Sequence, residues 1–422
     1  MKIEELFHRL LGLGESWEVE SCEYSEESNA FFIMVKETEG LWAFERCPKC
    51  GKDPVTCYDH VEPLRWRHLN VFNKESEIVC ELPRGECGKC EHIYRVKPPW
   101  EGKSKHFTEE FEAFALTLMR EMPVKKVGKI VGVSDMRLWR MLLSHVDAAH
   151  AKLEMDEVAC IGADEMNRRK GHNYLTVFCD LAKKRVLFAA EGKDAGVWEE
   201  FMECLILHNG DPRAITQASI DMSVAYVKGI EENCRNAEIV FDKFHVISHA
   251  CDGVDAVRRA ESHLDESKRE RLKKTMWLWR KNPENLGEKE QERLKRIDHV
   301  DLWTSKAYQM RLALQEIYKI EYRSLARRRF GSWCRWVRRA AKKAPGKVLE
   351  SMVKVAEMIE SHLEGVLAHW TAGITNAFLE GLNSLFSATK RKARGYRTTR
   401  YLTAMLYFVA GKLSIPSIIP SH

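Results

Sequence analysis

Between residues 158 and 245 the hydrophobic pattern alternates between strand and helix, and that order restricts the fold more than any other feature of the chain. Residues 158–163 form a short apolar run ending in Asp164, and 174–180 with 185–190 read as a hairpin about Ala182-Lys183-Lys184. Residues 194–208 follow as an amphipathic helix, with Val197, Trp198, Phe201, Leu205 and Leu207 at its apolar positions. Residues 214–220 make another strand, ending in Asp221; 222–232 read as helical; 238–241 are a last strand that runs into Asp242-Lys243-Phe244-His245. The expected order is three strands, helix, strand, helix, strand.

That is the order of a ribonuclease-H-like domain, a mixed sheet whose first and fourth strands lie side by side. Carboxylates on Asp164 and Asp221 are then expected to meet although fifty-seven residues separate them. Each alone reads as a turn or capping residue, since Asp is favoured where a strand ends. Together they make a hard-oxygen site suited to Mg²⁺ or Mn²⁺, which a third carboxylate would complete. Residues 375–400, TNAFLEGLNSLFSATKRKARGYRTTR, supply one. Phe378, Leu379, Leu382, Leu385 and Phe386 share a face at helical spacing, and Asn376, Glu380, Asn383, Ser384, Ser387 and Arg391 line the opposite face. A packing role explains the apolar stripe and leaves the polar one unused, so Glu380 is taken as the third carboxylate.

The N-terminal third carries different chemistry. Cys47-Pro-Lys-Cys50 and Cys87-Gly-Lys-Cys90 are two CxxC knuckles that can supply four thiolates to one tetrahedral Zn²⁺, each tight turn aiming two sulfurs at the ion. Four thiolates leave the metal no open position, so the expected ion is structural. Cys57, Cys80 and His92 are spare candidates for one of the four places. The thirteen cysteines are odd in number, and the N-terminus MKIEELFHRLLG has no secretory apolar region, which favours a reduced cytoplasmic protein over a disulfide framework. Between the knuckles, residues 63–70 (PLRWRHLN) interleave Arg65, Arg67 and His68 with Trp66, and read either as a phosphate-contacting surface or as a solvated strand. Residues 122–146 have the pattern of a helix-turn-helix: Val127 and Val131 on one short helix, Gly132-Val133-Ser134 as the turn with Ser134 at the N-cap, and Leu138, Met141 and Leu142 on the next. Arg137 and Arg140 lie off the apolar face of the second helix, where DNA would be contacted.

From about residue 245 to 373 the chain reads as almost wholly helical. Within it, residues 323–347 hold ten bases and no acid, interleaved with Phe330, Trp333 and Trp336, a pattern that fits a cationic groove with aromatics for stacking and equally a solvated helical face with core tryptophans. Net charge is only +5, but residues 1–45 carry eleven acids and three bases, so the remainder sums to +13. Residues 388–400 add six bases and no acid beside Glu380. No run approaches the ~18 uncharged apolar residues of a membrane span.

Taken together, the CxxC element, the helix-turn-helix, Asp164 in GADE, Asp221 in IDMS, the DKFHV run at 242–246 and the stretch TNAFLEGLNSLFSATKRKARGYR resemble DDE transposases of bacterial insertion sequences, the ISL3 type in particular, from about residue 47 to 412. The resemblance implies that Asp164, Asp221 and Glu380 form a catalytic triad holding two Mg²⁺ or Mn²⁺ ions, and that Asp242 and His245 lie close to it. It implies five segments: an N-terminal region with the zinc element (1–105), a helix-turn-helix domain (106–152), the first part of the ribonuclease-H-like core (153–250), an all-helical insertion (251–372) and final core helices carrying Glu380 (373–422). Lys390, Arg391, Lys392 and Arg394 would hold the DNA backbone, with Tyr396 available to stack on a base. The partners implied are double-stranded DNA, both terminal inverted repeats and target, and a second copy of the chain in a dimer or larger assembly at the nucleoid. Two other functions stay open on the sequence: a catalytically silent zinc and helix-turn-helix regulator derived from a transposase, and a nuclease that cleaves without strand transfer.

Overall fold

The computed structural model describes residues 2–169, 173–192, 194–297, 301–372, 377–393 and 395–418, and it divides into two compact units, one of residues 1–153 with 385–422 and one of residues 154–384.

The first unit opens on helix Ile3–Leu10 and strands β1 (Trp17–Ser25) and β2 (Ala30–Glu37). Helix Glu39–Phe44 leads to β3 (Val55–His60), β4 (Leu64–Val71), β5 (Lys74–Cys80), β6 (Pro83–Cys87) and β7 (Ile93–Arg95). These build two sheets, β1-β2-β5-β4 and β3-β6-β7. Three tryptophans organise the larger core: Trp100 meets Trp17 and Trp66 edge to face at 5.1 and 5.8 Å, a preferred arrangement for ring quadrupoles. Trp66 is therefore a core residue and Arg67 is buried beside it, while burial drives the His68 imidazole down to about 4. Of the cations in residues 63–70, only Arg65 is exposed, and it pairs with Glu77 at 3.5 Å. Burial thus decides against a continuous phosphate-contacting surface there.

Helices Glu109–Glu121, Val124–Val131 and Asp135–His150 follow. Thr108 caps the first by accepting from Phe111 N–H, and Gly132 ends the second in the left-handed conformation (φ +70°), which glycine adopts without steric cost. Ser134 occupies the N-cap position of the third helix without a side-chain capping bond. Phe111, Leu116, Val127, Val131, Leu138, Met141 and Leu142 are all buried between the three. Among them lies a buried carboxylate, Glu112, compensated by His145 Nε2 at 2.8 Å and by the backbone N–H groups of Lys103 and Ser104. The C-terminal helix Thr399–Ala410 packs on Asp135–His150: Tyr401 stacks on Trp139 at 4.3 Å, Tyr407 meets His150 at 4.3 Å, and Arg400 pairs with Asp147 at 3.1 Å.

The second unit contains β8 (Cys160–Arg169), β9 (Asn173–Asp180), β10 (Arg185–Glu191), β11 (Gln217–Ile220) and β12 (Glu238–Phe241) in the sheet order β10-β9-β8-β11-β12. The first three pair antiparallel; β8, β11 and β12 pair parallel. Helix Ala195–Leu207, with Asp194 as its N-cap, joins β10 to β11, and helix Val224–Asn233 joins β11 to β12. The strand and helix order matches the alternation read from the sequence, with one correction. Asp164 was expected at the end of its strand, and instead β8 runs on to Arg169, because pairing with β9 continues after pairing with β11 stops at Gly162.

β12 runs directly into the twenty-residue helix Lys243–Ser262, which starts a succession of helices reaching Leu363–Leu367. Its partner Trp303–Ile317 is fixed by a fully buried carboxylate: Glu261 accepts from Trp303 N–H (2.9 Å), Thr304 N–H (2.7 Å) and Thr304 Oγ1 (2.7 Å). Those are otherwise unsatisfied amides of a helix N-terminus, where negative charge is also favoured by the dipole. In helix Arg323–Ala341, Phe330 and Trp333 are buried, and Trp333 Nε1 donates to Met310 O at 2.8 Å. These two aromatics are core residues and not a stacking surface. Among the described residues, no helix is long and apolar enough to cross a membrane. Replacing Glu261 by alanine, which strands the Trp303 and Thr304 amides in the interior, is expected to cost about 2–4 kcal/mol; a denaturant midpoint equal to wild type would show that these bonds are not what holds the two helices together.

Candidate active site and zinc centre

The parallel half of the second sheet sets the position of the acidic site. Ala218 pairs with Ile161 and Ser219 with Gly162, so the same register carried on by two residues brings Asp221 level with Asp164. Ile220 pairs with Phe241, which brings Asp242 level with Asp221 on the other side. Asp221 and Asp242 therefore leave the carboxyl ends of β11 and β12, the edge at which open α/β sheets bind ligands, beside Asp164 part-way along β8. Asp164 is mostly buried, with 18% of its side chain exposed. Its Oδ1 accepts from Glu165 N–H at 2.8 Å and lies 3.9 Å from His245 Nε2, and its Oδ2 accepts from Asn383 Nδ2 at 2.5 Å. Burial raises the Asp164 carboxyl above the ordinary carboxylate range and the nearby Asp221 adds to this, while His245, Asn383 and the Glu165 amide oppose it. A buried carboxylate whose like-charged neighbour makes ionisation unfavourable is chemically prepared for a cation.

Asp221 and Asp242 also serve the backbone: Asp221 Oδ1 accepts from Ser223 N–H at 2.9 Å, and Asp242 caps helix Lys243–Ser262 through Phe244 N–H at 3.0 Å. The cap sets the first turn of that helix so that His245 faces Asp164. Asn383 comes from helix Ala377–Ala393, one turn after position 380. The Glu380 side chain lies outside the described residues, as do the Lys392 side chain and all of Arg394. Asn383 was read only as part of a polar stripe on that helix; its contact with Asp164, 219 residues away, was not anticipated.

The zinc centre lies in the first unit. Ligand atoms of Cys47, Cys50, Cys87 and Cys90 all lie within 4.8 Å of one another, with Cys47 Sγ 3.6 Å from Cys90 Sγ and Cys50 Sγ 3.6 Å from Cys87 Sγ. Both knuckles close in the same way. Gly51 N–H returns to Cys47 O and Glu91 N–H to Cys87 O, at 2.8 and 2.9 Å, each from a residue at positive φ. Lys89 N–H points at Cys87 Sγ at 3.4 Å, a bond that favours the thiolate. Cys57 and Cys80 lie outside this group, and His92 stacks on Tyr94, so the four knuckle thiols suffice. They fit Zn²⁺, and its binding there would tie β3 to β6.

Among the remaining candidates, Arg137 and Arg140 are exposed on helix Asp135–His150, with the Arg137 guanidinium 4.4 Å from the centre of the Phe107 ring. Arg391 is exposed and Lys390 half-buried. Tyr396 packs edge-on against Trp139 at 6.0 Å, and burial raises its phenol to about 12.

Comparison with known proteins follows the same three segments. The family model described as a transposase, the DDE type of ISL3, matches residues 161–406, more than half of the chain. The chain belongs to the ISL3 family of DDE transposases. Residues 96–146 match the helix-turn-helix domain of transposase family ISL3, and residues 43–90 the zinc-finger of transposases IS204, IS1001, IS1096 and IS1165. The transposase for insertion sequence element IS1001 of Bordetella parapertussis is 24% identical over 399 residues, covering 93% of this chain and 94% of that one. The transposase for insertion sequence element IS1557 of Mycobacterium tuberculosis is also 24% identical, covering 96% of this chain and 95% of that one. This ISL3-family protein is thus a DNA transposase with a zinc-ribbon and a helix-turn-helix domain, and a silent regulator is not the favoured reading. Replacing Cys47 by serine is expected to remove bound zinc from the purified protein, whereas Cys57→Ser retains about one equivalent; elemental analysis finding the reverse would move the ion elsewhere.

Proposed function

We propose that this transposase recognises the terminal inverted repeats of its insertion sequence through the zinc ribbon and helix-turn-helix, and cuts and joins DNA through Asp164, Asp221 and Glu380 on a ribonuclease-H-like core. The observation that carries this reading is the shared register that sets Asp221 level with Asp164, together with the bond from Asn383 to Asp164. Position 380 precedes Asn383 by three residues on one helix, and residues three apart share a face. The sheet order β10-β9-β8-β11-β12 supports the ribonuclease-H-like assignment, and the helices between β12 and residue 372 then constitute an insertion in that core.

The donor set suits Mg²⁺ or Mn²⁺: carboxylate oxygens, one of them raised in pKa by burial and a like charge, with no thiol assigned to the set. Two such ions, when bound, supply activation of the attacking oxygen and stabilisation of the leaving oxygen in an in-line phosphodiester displacement. The side chains position. Asp164, Asp221 and Glu380 would together hold the pair. Asn383 holds Asp164 in one rotamer through Oδ2, leaving Oδ1 toward His245. His245, anchored by the Asp242 cap, places a potential cation beside the carboxylates, where a phosphate would arrive. No protein nucleophile is needed, so no covalent protein–DNA intermediate forms.

DNA would be held by Arg137 and Arg140 at the recognition helix and by Lys390, Arg391, Lys392 and Arg394 beyond the catalytic helix. Two ends must be joined, so the working form would be a dimer or larger assembly. The test is strand transfer in Mg²⁺ with a labelled duplex carrying the element's own end. Asp221→Ala and Glu380→Gln are expected to bind the duplex normally and to cut it at least 10³-fold more slowly; metal-dependent cutting that survives either substitution removes that residue from the triad. Asn383→Ala is expected to slow cutting about 10- to 100-fold with end binding unchanged, since it acts through Asp164; a loss of binding with normal cutting would show a different role.

A further inference from the structure

Strands β4 and β5 are joined by the two-residue turn Phe72-Asn73, with φ of +47° and +63°. Two successive positive φ values are what a tight hairpin turn requires, and Asn or Gly normally supplies them. Phenylalanine is disfavoured there, and no packing compensates it, because Phe72 is 96% exposed, the most exposed large apolar side chain among the described residues. Neither turn chemistry nor burial accounts for an aromatic ring at this tip.

The hairpin is fastened to the helix-turn-helix on both sides of the tip. On the strand before it, Arg67 N–H donates to His106 O (2.9 Å) and Arg67 O accepts from Thr108 N–H (3.1 Å), while its buried guanidinium joins Asn70 Oδ1, Ser76 O (3.2 Å) and Val131 O (3.5 Å). His68 Nδ1 bonds Thr108 Oγ1, the cap of the first helix, at 2.9 Å. On the strand after it, the Glu75 carboxylate sits directly against Gly132, where a Cβ would push it aside. Asn70 and Glu75 therefore both lie at the turn between helices Val124–Val131 and Asp135–His150, and residues 71–74 project from that point.

In a helix-turn-helix the N-terminal end of the second helix enters the major groove, so a rigid tip beside that turn meets the duplex next to the groove being read. The surroundings suit a polyanion: Lys125, Lys126, Lys129, Arg137 and Arg140 are exposed on the two helices. Next to a major groove that is being read lies a minor groove, and proteins that bind the minor groove frequently insert phenylalanine and similar apolar wedges between base steps. We infer that the β4–β5 hairpin is a second DNA-contacting element of this transposase, with Phe72 as an apolar wedge against a base step of the end DNA.

The inference rests on the helix-turn-helix binding the element's ends, and the experiment separates the two. Full-length wild type, Phe72→Ala and Phe72→Trp are titrated against a duplex carrying the terminal inverted repeat, with 2-aminopurine scanned through it to report unstacking, and against a scrambled duplex. Expected are a preference of wild type for the end duplex, a fluorescence rise at one step, and about tenfold weaker binding without that rise for Phe72→Ala. Phe72→Trp should retain both, and the thermal midpoints should agree because the ring is solvent-exposed. If Phe72→Ala binds and unstacks the end duplex as wild type does, the wedge is wrong while end recognition stands. A change only in oligomeric mass, with DNA affinity intact, would assign Phe72 to contact with a second copy and overturn the proposal. Equal wild-type affinity for end and scrambled duplex would instead remove the underlying reading.

Discussion

A carboxylate carried on the middle strand of a five-stranded sheet cannot be left uncompensated, and the second unit is organised around meeting that demand for Asp164. The strand itself supplies one amide, from Glu165. The other two compensating groups come from segments far along the chain: His245, in the first turn of the helix that leaves β12, and Asn383, after the whole helical succession has been completed. The 137 residues between them are held by the same logic on a smaller scale, with buried Glu261 satisfying the N-terminus of helix Trp303–Ile317. Charge placed inside the protein forces order on the elements that must reach it.

The first unit shows a cationic counterpart. Arg67 is buried among four carbonyl or amide oxygens, and so it joins a β-hairpin to the turn of the helix-turn-helix. The zinc knuckles act a short distance along the same chain, bringing residues 47–50 to 87–90. Small domains with limited cores commonly rely on such staples, and here the staple and the buried arginine fix the N-terminal sheets and the DNA-binding helices as one compact unit.

Much of this was legible in the amino-acid order where a local rule carries it. Strand alternation and helical period are short-range, so the succession β8 to β12 with its two connecting helices could be read directly, and a CxxC turn needs only two intervening residues to aim its sulfurs. Burial was not legible. Trp333 and Phe330 sit within a run of arginines and look available, but a helix contacts its neighbours on one face only, and which face is covered depends on residues 310 and 356. Trp66 and Arg67 misled in the same way. Asp164 appeared to end a strand because its local pattern turns polar there; the strand continues because β9, the next strand along the chain, keeps pairing with it after β11 has stopped.

The sequence by itself therefore determined the element order between residues 158 and 245, the two CxxC pairs that cluster, the helix-turn-helix and the family to which the chain belongs, since each rests on residue types at short fixed spacing. Only the tertiary structure decided that Asp242 stands level with Asp221 on the neighbouring strand, that Asn383 joins Glu165 and His245 around Asp164, and that Phe72 stands exposed beside the helix-turn-helix. Sheet register, long-range hydrogen bonds and solvent exposure are properties of chain segments that meet after folding, and no spacing rule along the chain encodes them.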